Sequence, residues 1–299
     1  MKWQDSSSRF SGRYSVSLES FLKSMLRTRA GALAMGVLER TPLRRHLYST
    51  SIHPTRGVLV GSGSMAGDWD KRAQESARFY IAPDDWESEE EFERSGEREV
   101  EEYVLKDLSL SPQSRVLEIG CGIGRLLRPM AGRFADVHGV DISEEMIKRG
   151  RGRLADLENI HLQETDGSLA AFPDQSFDFC YSWRVFLHVP RKEYVLQYFR
   201  EAARVLKSGG LFRFDVAKDE GEGRRRDEAG TWFGVVFSEE ELRRELEACG
   251  LEPLEVRHEG RRGKRVFWEN WIVTARRRDA EQQAAVRAGG QRRASAQPE

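Results

Sequence analysis

An apolar run, Arg115-Val116-Leu117-Glu118-Ile119, passes without a break into Gly120-Cys121-Gly122-Ile123-Gly124, and Asp141 closes the next apolar run, Val137 to Val140. Glycines at this spacing let a chain leaving a strand turn sharply and approach a ligand closely, because no Cβ stands in the way. An acid at the tip of the neighbouring strand can accept both hydroxyl hydrogens of a ribose, at about 1.5–3 kcal/mol for each charge-assisted bond. The combination calls for two adjacent parallel strands with a nucleoside-bearing small molecule across their ends. A tight turn beside a solvated aspartate is the plainer alternative, and the order of strand, glycines and acid disfavours it.

Spacing alone does not select the ligand, since dinucleotide folds also place an acid about 20 residues beyond their glycines. Here the third glycine comes one residue earlier than in Gly-x-Gly-x-x-Gly, and Arg125 stands in its place. Glu118 adds a second carboxylate at the first strand's tip, which repels a pyrophosphate and attracts an ammonium group. The segment resembles motif I of the class I S-adenosylmethionine-dependent methyltransferases, with Ile123 where threonine is common. The resemblance spans roughly residues 98–274 and is most diagnostic over 115–216.

Alternating strand and helix patterns fit a doubly wound α/β sheet. Strands are expected at 115–119, 136–140, 159–164, 177–182 and 210–216, and helices at 124–134, 143–156 and 190–207. Ser143 suits an N-cap and Pro190 a first helical turn. Ser238 and Glu241 form a capping box for a helix that Gly250 ends. Runs at 251–259 and 265–274 flank Gly260-Arg261-Arg262-Gly263-Lys264, a hairpin signal. The resemblance implies a Rossmann-like seven-stranded sheet with this antiparallel hairpin at its C-terminal end. Before it, Trp69, Ala73, Ala77 and Tyr80 fall at helical spacing, and an acidic helix runs from about Ser88 to Leu108 with Phe92, Val100, Tyr103 and Val104 inward. The two form an N-terminal helical cap.

The expected organisation is therefore a basic leader over 1–64, the cap over 65–110, the cofactor-binding domain over 111–275 and a frayed tail over 276–299. The leader carries a charge of +7 against −8 for the remainder, and its composition builds no core. It reads as disordered, or as sequence upstream of a start at Met65, in preference to a docking arm. Net charge is −1, which gives no general sign of nucleic-acid or membrane affinity, and Ala30–Leu38 is too short to span a bilayer. Three scattered cysteines form no CxxC pair, so a reducing cytoplasmic setting is the default and no metal site is expected.

The resemblance assigns S-adenosyl-L-methionine as cofactor. Glu118, Gly120, Cys121, Gly122 and Gly124 would line it, with the next helix's free amides facing its carboxylate. Asp141 would hold the ribose, Ile142 the adenine face, and Met146 either that ring or ordinary core. Asp166 with the Gly167 backbone would meet the adenine amino group, although Asp-Gly-Ser is equally good turn chemistry. Ser182 and Trp183 lie at the exit of the fourth strand on the cofactor side. His188 is the titratable group nearest the expected methyl-transfer point, as general base, helix cap or packing residue. Arg184 could meet an anionic acceptor, Asp178 or a cap glutamate. Trp69, Tyr80, Trp183, Phe186, Trp232 and Phe233 favour an apolar small-molecule acceptor if they are not simply core. Arg224-Arg225-Arg226 reads as a mobile surface loop. The expected function is methyl transfer to a small molecule; the alternatives are an NAD(P)-dependent oxidoreductase and a non-catalytic cofactor-binding regulator.

Overall fold

Among the described residues, eight strands follow the order β3-β2-β1-β4-β5-β8-β7, with β6 paired to β5 beside this path. They are β1 (Arg115–Ile119), β2 (Asp136–Asp141), β3 (Ile160–Glu164), β4 (Phe177–Ser182), β5 (Leu206–Lys218), β6 (Val236–Phe237), β7 (Leu251–Arg262) and β8 (Phe267–Arg277). The structure is a computed structural model and describes residues 64–85, 87–219, 234–262 and 267–279. The expected leader, most of the tail, Trp232, Phe233, Arg224–Arg226 and the hairpin tip at 263–266 lie outside the described residues. All pairings among β1 to β6 are parallel, and β8 runs antiparallel to both β5 and β7. The two-residue β6 is the strand beyond the seven expected.

Central strands covered on both faces read as continuous apolar runs. Val116, Leu117, Val137, Phe177, Phe179, Phe212 and Phe214 are accordingly fully buried. Each such side chain contributes about 1.5–3 kcal/mol relative to exposure. The helices are α1 (Met65–Ile81), α2 (Glu89–Glu99), α3 (Leu127–Ala131), α4 (Glu144–Arg153), α5 (Lys192–Val205) and α6 (Glu239–Ala248). A π-turn, Val100–Val104, extends α2, and a 3₁₀ turn, Phe186–His188, precedes α5. Along α5, Val195, Tyr198, Phe199, Ala202 and Ala203 form the buried stripe, and the Phe199 ring lies 4.9 Å from that of Phe214.

Several boundaries depart from expectation for identifiable reasons. Gly124 sits at φ +80°, so the chain turns irregularly through 122–126 and leaves α3 only five residues. Pro190 precedes the N-cap Arg191 and stays outside α5. Ser238 caps α6 by accepting the Glu241 N–H, but the Glu241 carboxylate binds Lys192 Nζ at 2.6 and 2.7 Å instead of returning to Ser238. β5 starts four residues early because Leu206 pairs with Phe177 and Leu211 with Phe179. Lys207–Gly210 is thus a bulge inside the strand, with Gly209 at φ +77°. In α1 the backbone breaks at Ser76, and α2 with its π-turn ends at Val104, four residues short of Leu108.

Candidate active site

Parallel strands bring their carboxyl ends to one edge of the sheet, where a ligand crevice forms. A cleft of about 1300 Å³, including its open mouth, lies there. The glycine loop, the end of β2 and the segment leaving β4 line it, with α1 and Ala82–Asp85 on the cap side. Among the predicted residues, Glu118, Gly120, Cys121, Gly122, Asp141, Ile142, Met146, Trp183 and His188 line this cleft together.

The loop conformation demands its glycines. Gly120 has φ +78°, and a Cβ there would stand 2.4 Å from Val185 Cγ2. Gly122 has φ +54°, and its Cβ would meet Ile81 Cδ1 of α1 at 2.7 Å, so the cap rests directly on this turn. Gly124 faces away, against Leu154, and serves packing between the loop and α4 rather than the cleft.

Asp141 organises the β2 end. Its Oδ2 accepts the Gly122 N–H at 2.8 Å and its Oδ1 the Ser143 N–H at 2.9 Å. A carboxylate has about four lone-pair sites, so two remain for ligand hydroxyls. Burial raises its pKa to about 6 against the pull of those backbone bonds. The neighbouring Ser143 caps α4, accepting the Met146 N–H and donating to Asp70 of α1 at 2.6 Å. Three more loop amides are committed: Gly120 and Cys121 donate to Val140 O, and Gly124 to Cys121 O. The helix whose amides were expected to face the carboxylate begins at Leu127 instead of 124, and no side chain caps it.

Glu118 is 2% exposed and accepts the Tyr181 hydroxyl proton at 3.0 Å. Burial pushes its pKa up to about 8, opposed by Tyr181 and Arg125. Cys121 is buried with its thiol pKa raised by desolvation, which suits a small filler rather than a nucleophile. Trp183 donates Nε1–H to Glu99 at 2.9 Å and stacks on Tyr103 at 5.1 Å. His188 is 6% exposed, lies on the 3₁₀ turn and meets the Trp69 ring edge-on at 5.3 Å. It is not the cap of α5, a position Arg191 holds.

Besides Gly124, three predicted residues lie elsewhere. Ser182 is fully buried and donates to Ile119 O at 3.0 Å, clamping β4 to β1. Asp166 is exposed and closes its own turn, accepting from the Ser168 amide and hydroxyl, bonds that lower its pKa. It borders a smaller depression that shares Val140 and Thr165 with the main cleft. Gly167 has φ +95° and lines neither. Of the expected aromatic wall, Trp69 and Tyr80 line the cleft, whereas Phe186 belongs to the core.

Two charged assemblies were not anticipated. Arg125 and Glu99 form an ion pair at 2.7 Å with side chains only 4% and 8% exposed, and Arg125 also donates to Ser95 Oγ. The available signal was the stripe Phe92-Ser95-Gly96-Glu99, which α2 buries against the glycine loop; a Cβ on Gly96 would lie 2.6 Å from Arg125 O. Arg184, at φ +63°, donates its amide to Asp215 Oδ1 at 2.7 Å, and Asn270 holds Asp215 Oδ2 at 2.9 Å. Asp178, the partner considered for Arg184, binds Lys207 instead.

Residues 116–210 match the family described as Methyltransferase domain. The chain is 31% identical over 157 residues to the 27-O-demethylrifamycin SV methyltransferase of Amycolatopsis mediterranei, covering 49% of this chain and 57% of that protein. It is 32% identical over 111 residues to the demethylmenaquinone methyltransferase of Staphylococcus aureus, covering 36% and 45%. The matches therefore span about half the length of these curated relatives. Among solved structures, the PH0226 protein from Pyrococcus horikoshii OT3 superposes with a TM-score of 0.51 at 21% identity, over 64% of this chain and 93% of that one. Among the described residues no helix is long and apolar enough to cross a membrane.

Proposed function

We propose that this chain, a member of the class I S-adenosylmethionine-dependent methyltransferase superfamily, transfers a methyl group from S-adenosylmethionine to a hydroxyl of a small, largely apolar molecule. The cleft fits the cofactor on chemical grounds. Asp84, Asp85, Glu99 and Asp141 line it against Arg125 and Arg184, a negative balance suited to a ligand with sulfonium and ammonium charges. When bound, the cofactor supplies a methyl group already activated for displacement.

What this chain adds is alignment, and positioning alone can supply about 7–11 kcal/mol of a barrier. In this reading the Asp141 carboxylate fixes the ribose, Gly120 and Gly122 admit the cofactor to contact distance, and Ile142 and Met146 border the base. Residues 65–110 form the roof and the acceptor side, and 111–275 hold the cofactor. Trp69 and Trp183 give the acceptor wall an apolar character, and α1 shields the cleft from water.

The observation that carries the reading is the presence of His188 in the same cleft as Asp141 and the glycine turn. A hydroxyl acceptor must lose its proton as the new bond forms, and a positioned imidazole contributes roughly 10²–10⁴-fold to such a step. The rifamycin relative is named for a methylated oxygen, which agrees with an oxygen acceptor. The test is a screen of hydroxylated, phenolic and amine acceptors followed by His188→Ala kinetics on the best substrate. A fall in kcat of at least 100-fold with an unchanged dissociation constant for S-adenosylhomocysteine is expected. Unaltered kcat on a hydroxyl acceptor would remove His188 as the base.

A further inference from the structure

At the opposite, amino-terminal end of the sheet, Asp136 and His138 lie two residues apart on β2, and His161 is the register partner of His138 on the edge strand β3. Asp136 Oδ1 is 2.8 Å from His138 Nε2 and 3.5 Å from His161 Nε2, and one ligand atom from each of the three falls within 4.8 Å of the others. A metal with tetrahedral ligands at about 2.0–2.1 Å holds those ligands roughly 3.3 Å apart, so the observed separations need only small adjustment. Asp136 Oδ1 is buried without a well-formed hydrogen bond despite its nearness to His138 Nε2, because that nitrogen faces the Arg115 guanidinium, whose Nε donates to it at 3.2 Å. The same guanidinium contacts Asp136 Oδ2 at 2.9 Å. A cation already stands where the three ligands converge.

We propose that Asp136, His138 and His161 form a site for a divalent transition-metal ion of the zinc, cobalt or nickel class, with Arg115 as its internal competitor. Two imidazoles and one carboxylate are the donor set of such borderline ions, whereas magnesium and calcium take oxygen ligands. The fourth position would hold water. Arg115 can yield the site: its side chain is 34% exposed and lies over the Phe177 ring at 4.8 Å, its guanidinium bonds are to the cluster itself, and its backbone N–H is held separately by Asp178. The bound ion would staple β3 to β2, far from the cleft, so its role is structural. A pair two apart on one strand with a third residue on the next leaves no linear signature, and none was expected from the sequence.

The experiment uses the full chain stripped with chelator, titrated with Zn²⁺ in a calorimeter and with Co²⁺ by visible absorption. One equivalent per chain is expected, with affinity at least tenfold tighter in Arg115→Ala and at least tenfold weaker in His161→Ala. His161 is exposed, so that variant folds, and S-adenosylhomocysteine affinity should be the same in all three proteins. Absence of stoichiometric binding in both the unaltered chain and Arg115→Ala overturns the site. So does binding to His161→Ala as tight as to the unaltered chain, since the ion would then sit elsewhere.

Discussion

Replacing Glu99 by Met strips the buried Arg125 of its counter-charge and leaves the Trp183 N–H without its acceptor. Both partners are almost sealed from water, and the pair is formed at 2.7 Å. Breaking a buried ion pair from one side costs about 3–5 kcal/mol, because the remaining charge is desolvated and uncompensated. For a domain of this size each kcal/mol moves Tm by roughly 2–4 °C, so Glu99→Met should melt about 6–20 °C lower. Removing both charges together, as Glu99→Met with Arg125→Met, relieves the stranded cation and should recover most of that loss. Urea unfolding of the ligand-free single and double variants measures this directly, with the double-mutant cycle isolating the coupling. A single variant within about 1 kcal/mol of the parent, or a double variant no more stable than the single, would refute the reasoning.

Glu118 ties stability to pH. A carboxyl whose pKa is raised on folding favours the fold in its neutral form, and that contribution is lost as pH rises through about 8. Ligand-free Tm should fall between about pH 5 and 8, and Glu118→Gln should flatten the slope; an unchanged slope in a folded variant would remove Glu118 as its origin. Gly120→Ala combines a positive φ with a contact 2.4 Å from Val185, so both Tm and S-adenosylhomocysteine affinity should drop, the latter at least tenfold in calorimetry. Gly122→Ala meets only the flexible end of Ile81 and should be milder on both counts.

The sheet was legible because its central strands are uninterrupted apolar runs punctuated by glycines, and the hairpin because two long runs flank a glycine-rich turn. The early start of β5 was not, since Leu206 joins the strand through a partner, Phe177, far away in sequence. At the site, Asp141 and the first two glycines could be read because their chemistry is tied to a strand tip and a turn. Ser182 stands at a strand end as its position in the sequence indicates, and only the folded pairing shows its hydroxyl bonded to Ile119 O. Asp166 took the turn chemistry that its own sequence offered as the plainer reading. Glu99 and Arg125 escaped notice because charged residues are solvated by default, and only their mutual burial makes them part of the cleft. The left-handed Arg184 depends on Asp215 and Asn270, neither near it in sequence.

Calorimetric titration of the purified chain with S-adenosylhomocysteine, with NAD as the control ligand, tests the cofactor assignment most directly. One equivalent of S-adenosylhomocysteine should bind, NAD should not, and Asp141→Ala should weaken binding at least tenfold. Affinity of the unaltered chain should also fall as pH drops below about 6, where Asp141 gains its proton. Binding of NAD in preference, or full S-adenosylhomocysteine affinity in Asp141→Ala, would contradict the account.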